Sequence, residues 1–182
     1  MGYDLGILVP DLADQLQDTP LANWPVVNQD PLIRTRTLQG KTIAFLFFPN
    51  PDTEAEWEIL QQRIREQAAE LKEQADLCIG FSPWGKSREQ AFLQRHSGVL
   101  DLLLGSGPGG TVRNEGQNAT HTLWIRPYSK GKVVNSVFLP EWPTPGPHSG
   151  RLSPEAISAE TFVLDESVEA DADLSALFAG GP

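Results

Sequence analysis

Two loops hold the residues whose types and spacing could do chemistry in this chain. The first, Ser82 to Gly85 (Ser-Pro-Trp-Gly), and the second, Gly105 to Gly110 (Gly-Ser-Gly-Pro-Gly-Gly), each follow an apolar run. If both runs are strands of one α/β sheet, both loops lie at its carboxyl edge, where ligands bind. Neither loop holds a His, Asp, Glu or Cys. The loops therefore supply no metal ligand and no group that transfers protons at neutral pH.

The other metal-binding and nucleophilic side chains are dispersed along the chain. His96, His121 and His148 fall at a predicted helix end, a strand start and a Pro/Gly-rich loop, without the pair spacing of a metal site. No Gly-x-Ser-x-Gly elbow surrounds Ser82 to make it a nucleophile. The single cysteine, Cys78, lies in an apolar run and is predicted to be a buried structural thiol. We therefore predict no catalytic residue and no metal ligand.

The glycine loop admits three interpretations. It fits the Gly-x-Gly-x-x-Gly dinucleotide pattern, but that site needs a helix starting inside the motif, and residues 111–118 have turn chemistry. Its amides could instead form a residual anion site, or the loop could be a turn that only closes the fold, which we favour. Trp84 is expected to pack its large indole ring into space at this loop, as a structural side chain. The candidates for a ligand-binding loop are Ser82, Trp84, Gly85, Ser106, Gly107, Arg113 and His121.

The elements that must position these loops follow from periodicity. A capping box at Thr53 and Glu56 precedes apolar residues at three- and four-residue steps to Ala75, which predicts a helix. Residues 32–37 and 42–48 predict a hairpin whose second strand is buried. A short helix is predicted near residues 8–16, strands at 24–28, 122–127 and 132–139, and irregular chain at 140–150. Together these elements predict an α/β fold, a mixed sheet with packed helices.

Composition limits the classes of partner. The chain has 182 residues, which suits a single domain with a core, and its net charge of -10 disfavours nucleic acid and anionic lipid. No apolar run approaches the ~18 residues of a membrane span, and no signal peptide opens the sequence. We expect a cytoplasmic protein as written, or a periplasmic or exported one if the true N-terminus lies upstream.

Residues 75–111 resemble the second half of the metallophosphoesterase domain of the 5'-nucleotidase and UDP-sugar hydrolase family. That family has a strand ending in Ser-His-Leu-Gly, an amphipathic helix, and an aspartate-led strand ending in Gly-Gly-His-Ser-His-Thr. The corresponding residues here are Ser82-Pro83-Trp84-Gly85, and Asp101 to Gly105 followed by Ser-Gly-Pro-Gly-Gly-Thr. The resemblance implies half of the family's αββα sandwich, with the histidines that bind its two divalent metal ions replaced. No cofactor is therefore predicted for this chain.

The resemblance extends along most of the chain. It places residue 1 just past the family's Gly-Asn-His-Glu motif, so that most of the family's metal ligands would lie upstream. The Lys130-Gly131-Lys132 turn matches the family's Tyr-Gly-Lys turn, and the acidic residues 163–171 resemble its linker. The implied division is a partial metallophosphoesterase-like domain at 1–150 and an acidic tail at 151–182, with a short helix at Asp173 to Phe178.

Three hypotheses for the function follow. The first is a catalytically degenerate binding or interaction module, and the second is a fragment of a metal-dependent phosphoesterase whose N-terminal metal-binding half is missing. The third, a metal-free enzyme using the same pocket, has the least support. The candidate partners are a second copy of the chain, the missing half, or a small anionic ligand. A free-standing half should expose apolar surface where the other half would pack.

Overall fold

The structure, a computed structural model, describes residues 7–8, 10–18, 22–113, 121–127, 133–142, 158–165 and 167–168. Within these residues it forms the predicted α/β fold, with a mixed sheet and packed helices. None of the helices there is long and apolar enough to cross a membrane. The elements in chain order are α1 (Pro10–Gln15), β1 (Leu32–Leu38), β2 (Lys41–Phe47), α2 (Glu54–Gln74), β3 (Leu77–Ser82), α3 (Lys86–Arg95), β4 (Leu102–Gly105), β5 (Val112–Arg113), β6 (Leu123–Arg126), β7 (Val133–Phe138) and β8 (Ser158–Val163).

The main sheet has six strands in the order β1-β2-β3-β4-β6-β5. Strands β2, β3, β4 and β6 are mutually parallel, while β1 and β5 pair antiparallel at the two edges. The parallel strands end at Phe47, Ser82, Gly105 and Arg126. Because parallel strands end on the same side, these four residues mark the carboxyl edge, where both candidate loops are predicted to lie.

The turn of the β1-β2 hairpin has the backbone conformation that suits two paired antiparallel strands. Gln39 and Gly40 have φ angles of 52° and 76°, so both turn residues lie in the left-handed region. A two-residue turn of that kind matches the right-handed twist of its strands. The hairpin confirms the prediction for these residues, and it leaves β2 in the sheet interior beside β3.

Both longer helices cover one face of the sheet, called here the helix face. Helix α2 has the predicted capping box, in which Glu56 N donates to the Thr53 hydroxyl at 3.2 Å and Thr53 N donates to the Glu56 carboxylate. The apolar side chains of α2 pack against every second residue of the strands. Phe92 and Leu93 of α3 are buried in the same core. The main core contains Leu46, Trp57, Leu60, Ile64, Cys78, Trp84, Phe92, Leu103 and Trp124.

The opposite face is covered by a second, two-stranded sheet, β7-β8, and is called here the hairpin face. Leu102, Leu123 and Ile125 form a smaller core there, against which Val137 and Ala159 pack. The strands of this second sheet turn apolar side chains outward as well. Those exposed side chains are Val134 (50%), Phe138 (63%) and Phe162 (52%). The outer side of the second sheet therefore carries exposed apolar side chains.

Several elements differ from the sequence predictions. Residues 24–28 form no strand, only one bridge between Leu8 and Val26, where Pro25 lacks a backbone donor. The strand β7 pairs with β8, in a sheet separate from that of β6. Strand β8 was not predicted and lies in the segment expected to be a tail, and the two-residue β5 was also missed. The Lys130-Gly131-Lys132 turn, most of the irregular stretch at 140–150 and the helix at 173–178 lie outside the described residues.

His96, at the end of α3, should make stability depend on pH. Burial, helped by Arg65 and Arg95, holds the pKa of His96 below its ordinary value of 6.5. Folding thus favours the neutral ring, so this stabilisation is present above pH 6.5 and is lost as the pH falls through the lowered pKa. Urea unfolding at several pH values should show this loss in the wild type and not in His96→Phe. Equal pH dependence in the wild type and in His96→Phe would contradict the assignment.

Candidate functional site

The first loop turns the chain from β3 into α3. Gly85 caps the helix with a φ of 83°, a backbone conformation that glycine adopts without strain. The indole of Trp84 points into the main core, where it packs edge-on against Phe92 at 5.6 Å between ring centroids. Its Nε1 donates to the carbonyl of Pro49 at 2.7 Å. Trp84 therefore fixes the loop to the core below it.

The glycine loop is hydrogen-bonded directly to the first loop. Ser106 N donates to the carbonyl of Ser82 at 2.7 Å, and Gly85 N donates to the carbonyl of Ser106 at 3.1 Å. Lys86 N, the first amide of α3, donates to the carbonyl of Pro108 at 2.8 Å. Three amides at this edge, those of Gly85, Lys86 and Ser106, therefore bond to the chain's own carbonyls. An anion would have to displace those bonds to bind at these three amides.

Glycine is required where the two loops touch. Gly107 has a φ of 77°, and a Cβ on it would overlap the carbonyl oxygen of Pro83. Gly109 has a φ of 117°, and its Cβ would lie 2.5 Å from Cβ of Lys86. A side chain at either position would push the loops apart, so the glycines account for the close contact between the loops.

A buried ion pair lies beneath the loops on the helix face. Glu89 and Arg126 are both fully buried, and the Glu89 carboxylate accepts hydrogen bonds from Arg126 Nη1 and from Trp124 Nε1, the latter at 2.9 Å. Arg126 Nη2 donates to the carbonyls of Gly107 and Pro108 at 3.0 and 3.1 Å. The pair thus connects α3, β6 and the glycine loop.

Position 105, on the strand between the Glu89 and Arg126 side chains, must also be a glycine. A Cβ on Gly105 would overlap the Glu89 carboxylate, so the buried acid occupies the space that a side chain would need. Burial raises the pKa of Glu89 above its ordinary value, although the hydrogen bonds from Arg126 and Trp124 oppose that shift. The carboxylate is enclosed by the chain itself, and its contacts make it an anchor for the loop.

A cleft opens at the same edge of the sheet and is called here the edge cleft. It has a volume of about 540 Å³ and lies between the strand ends and β7. Its walls are mostly apolar, and the described lining residues of polar type are Ser82, Ser106 and Asn135. The Ser82 hydroxyl accepts a hydrogen bond from Trp84 N at 3.2 Å. The apolar wall includes Phe47, Phe81, Leu104, Ile125 and Val133. The edge cleft is a concave, mostly apolar hollow with few polar groups, as small-molecule sites usually are.

The structure brings most of the sequence candidates to this edge. Ser82 and Ser106 line the edge cleft, while Gly85 and Gly107 form the loop contact and Trp84 lies in the core. Arg113 lies in β5, with its backbone paired to Ile125.

His121 is not brought to the loops. It is exposed, has a φ of 50°, and lies just before the start of β6, whereas the loops lie beyond the strand ends. The three steps of extended chain from Leu123 to Arg126 alone span about 10 Å at ~3.3 Å per residue, so His121 lies beyond the opposite end of β6 from Arg126. Among the described residues no group of three or more His, Cys, Asp or Glu could hold a metal ion.

Sequence reasoning missed three residues of this edge. Glu89 lies three and four positions before Phe92 and Leu93, so the helix period places a charge on the buried face of α3. Arg126 alternates with Trp124 along β6, and that parity points it at the same face. Asn135 shares the inward parity of β7 with its neighbours two residues away. In each case the signal was a polar residue at a helix or strand position whose spacing turns it toward the core.

Comparisons with known proteins give little further information. No family model matches the sequence, and no curated protein matches it. Among solved structures, the crystal structure of a hypothetical protein from Thermus thermophilus is similar, with a TM-score of 0.47 and 18% sequence identity. The match covers 69% of this chain and 53% of that one, so this chain spans about half the length of that protein.

Proposed function

We propose that this chain is a catalytically degenerate relative of the 5'-nucleotidase-like metallophosphoesterases that acts as a binding or interaction module. The observation that carries the proposal is the contact between the two loops at the carboxyl edge, where the glycine loop bonds to α3 and to Arg126. In the family that the sequence resembles, these loops bear metal-binding histidines. Here Pro83 and Gly107 to Gly109 stand in their place.

The geometry favours binding over hydrolysis. Glu89, the buried acid of this edge, is paired with Arg126 and enclosed under the loop, out of reach of a substrate. The space that remains open beside the loops is the edge cleft, whose walls are mostly apolar. A site of that kind holds a ligand by shape and burial and supplies no nucleophile or metal. We therefore assign the binding function to the edge cleft.

Metal content and phosphoesterase activity together test this proposal. The full chain is incubated with Mn²⁺ or Zn²⁺, desalted and measured by elemental mass spectrometry, and hydrolysis of bis(p-nitrophenyl) phosphate is followed on the same samples. We expect no stoichiometric metal and no hydrolysis above that of an EDTA-treated control. About one or two bound ions per chain, with metal-dependent hydrolysis, would overturn the proposal.

The second candidate is a fragment of a metal-dependent phosphoesterase. It is favoured by the outer side of the β7-β8 sheet, where Val134, Phe138 and Phe162 are exposed. An N-terminal half would pack on that surface and supply metal ligands. Sequencing the DNA upstream of codon 1 tests this candidate. An in-frame Asp-x-His and Gly-Asn-His-Glu would support it, and unrelated sequence would leave the binding module as the only proposal.

A further inference from the structure

We propose that strand β1 binds an acidic, extended peptide segment of another protein, which joins the main sheet as an additional edge strand. No residue of β1 is among the described residues that line the edge cleft, so this surface goes beyond the proposed function. The proposal depends on three properties of β1: an open backbone edge, two arginines without an acidic partner among the described residues, and an order of side chains that opposes pairing with a second copy.

The outer backbone of β1 is open to another strand. Within the described residues, β1 is the end strand of the main sheet and pairs with β2 alone. The two-residue turn closes with the pair Leu38 and Lys41, and the closing pair of such a turn is hydrogen-bonded. Because bonded and non-bonded pairs alternate along antiparallel strands, the amides and carbonyls of Ile33, Thr35 and Thr37 point away from β2. Five of the seven residues of β1 are exposed, so an added strand can reach this edge.

The hairpin is a basic segment of an acidic chain. Residues 31–51 contain two Arg, one Lys and no Asp or Glu, although the whole chain has a net charge of -10. Lys41 forms an ion pair with Asp76 at 2.9 Å. Arg34 and Arg36 form no ion pair with any residue that the structure describes. Two exposed cations on one strand therefore favour an acidic partner.

The two arginines lie on the same face of the sheet. The residues directly opposite them on β2 are Phe45 and Ile43, and directly opposite residues share a face. Leu32 and Leu38 flank the arginines on that face, two residues away on either side. This face of β1 therefore presents apolar, basic, basic and apolar side chains at every second residue. A peptide with apolar, acidic, acidic and apolar residues at the same spacing matches it in either strand direction.

The same arginines disfavour a second copy of the chain as the added strand. If two β1 strands paired antiparallel with their centres aligned, each Arg34 would lie opposite Arg36 of the other copy. A shift by two residues would place two Arg34 or two Arg36 side chains opposite each other. Like charges directly opposite are destabilising, whereas an opposite charge there is favourable. The net charge of -10 repels an acidic partner at long range, but physiological salt screens that repulsion beyond about 8 Å.

Two peptides of the same composition test the proposal on the full chain. The first is acetyl-Val-Thr-Glu-Thr-Glu-Thr-Val-amide, whose glutamates share one face of an extended strand. The second is acetyl-Val-Thr-Glu-Glu-Thr-Thr-Val-amide, whose glutamates lie on opposite faces. We would titrate each at physiological salt and follow amide chemical shifts by NMR. We expect saturable binding of the first, with shifts concentrated at Ile33, Thr35 and Thr37. The second should bind about two- to fivefold more weakly, the usual value of one cross-strand charge pair.

Variants separate the charges of β1 from its backbone pairing. The double variant Arg34→Gln with Arg36→Gln should weaken the first peptide by about fivefold or more and abolish its advantage over the second. The control Arg65→Gln, an exposed arginine of α2, should leave both affinities unchanged. Thr35→Pro removes an outward amide that makes no bond to β2, so it should weaken both peptides while the amide shift of Phe45 stays close to that of the wild type.

Three results would overturn the proposal. They are an absence of saturable binding, shifts that map to the edge cleft in place of β1, and an advantage of the first peptide that survives in the double arginine variant. Equal affinities for the wild type and Thr35→Pro would also overturn it, because they would show charge attraction without strand pairing. The measurements of metal content and hydrolysis test the proposed function separately, so failure of the one is distinguishable from failure of the other.

Discussion

Replacing Glu89 with alanine should lower the free energy of unfolding by about 3–5 kcal/mol, the usual cost of removing one partner from a buried ion pair. The variant would leave the Arg126 guanidinium buried without its counter-charge, and Trp124 Nε1 would lose its acceptor. Urea unfolding followed by tryptophan fluorescence measures the change. The neighbouring exposed residue on the same helix is the control, and Gln90→Ala should stay within about 0.5 kcal/mol of the wild type.

The double variant Glu89→Leu with Arg126→Met isolates the ion pair from packing. Because it removes both charges together, it should recover much of the stability lost in Glu89→Ala.

The variant Glu89→Gln tests the pKa of the buried acid through the pH dependence of stability. The pKa of Glu89 is raised above its ordinary value of 4.5 in the folded protein, so folding favours the protonated acid. The stability of the wild type relative to Glu89→Gln should fall as the pH rises from about 4.5 through the raised pKa. A relative stability that rises over this window would contradict the raised pKa, because it would show that the bonds from Arg126 and Trp124 outweigh the burial of the acid.

Gly107→Ala should cost about 2–4 kcal/mol, since it combines a left-handed backbone with steric overlap. Its φ is 77°, and the added Cβ would overlap the backbone carbonyl of Pro83, which is not a flexible side-chain end that could move aside. The expected structural result is separation of the two loops and loss of the bonds from Arg126 to the glycine loop. Unfolding measurements give the energy, and the amide shifts of Gly85 and Lys86 report the separation.

Two other glycines separate the cost of the left-handed backbone from the cost of steric overlap. Gly110 has open space around its Cβ and no left-handed φ, so Gly110→Ala should change stability by no more than about 0.5 kcal/mol. Gly40 has a φ of 76° but also open space, so Gly40→Ala should cost only the backbone strain of about 1–2 kcal/mol. If Gly107→Ala lowers the free energy of unfolding no more than Gly40→Ala does, that result would contradict the close contact between the loops.

The elements around the site could be predicted because each has a strong local signal. Helix α2 combines a capping box with a long apolar stripe, and the β3-α3-β4 segment alternates apolar runs with glycine-bounded turns. The loops at the carboxyl edge were predicted from the rule that parallel strands end together. Local pattern and tertiary structure agree for these elements.

The rest depends on contacts between residues far apart in sequence. The pairing of Glu89 with Arg126 joins positions separated by 37 residues, so no local pattern shows that the two charges neutralise each other. Strand β8 is short and is stabilised by its pairing with β7, across a gap in sequence that hides it from any periodicity test. His121 precedes β6, and only the direction of that strand reveals that the histidine lies at the opposite edge from the loops.

The central claim is that the two loops at the carboxyl edge are joined by hydrogen bonds to the chain's own carbonyls, and amide hydrogen exchange tests it most directly. The account predicts that the amides of Gly85, Lys86 and Ser106 exchange about a hundredfold or more slowly than in an unstructured chain, because each donates to a carbonyl across the loop contact. It also predicts that added phosphate leaves these rates unchanged. Fast exchange at these amides that slows when phosphate is added would contradict it, because it would reveal an open anion site at the start of α3.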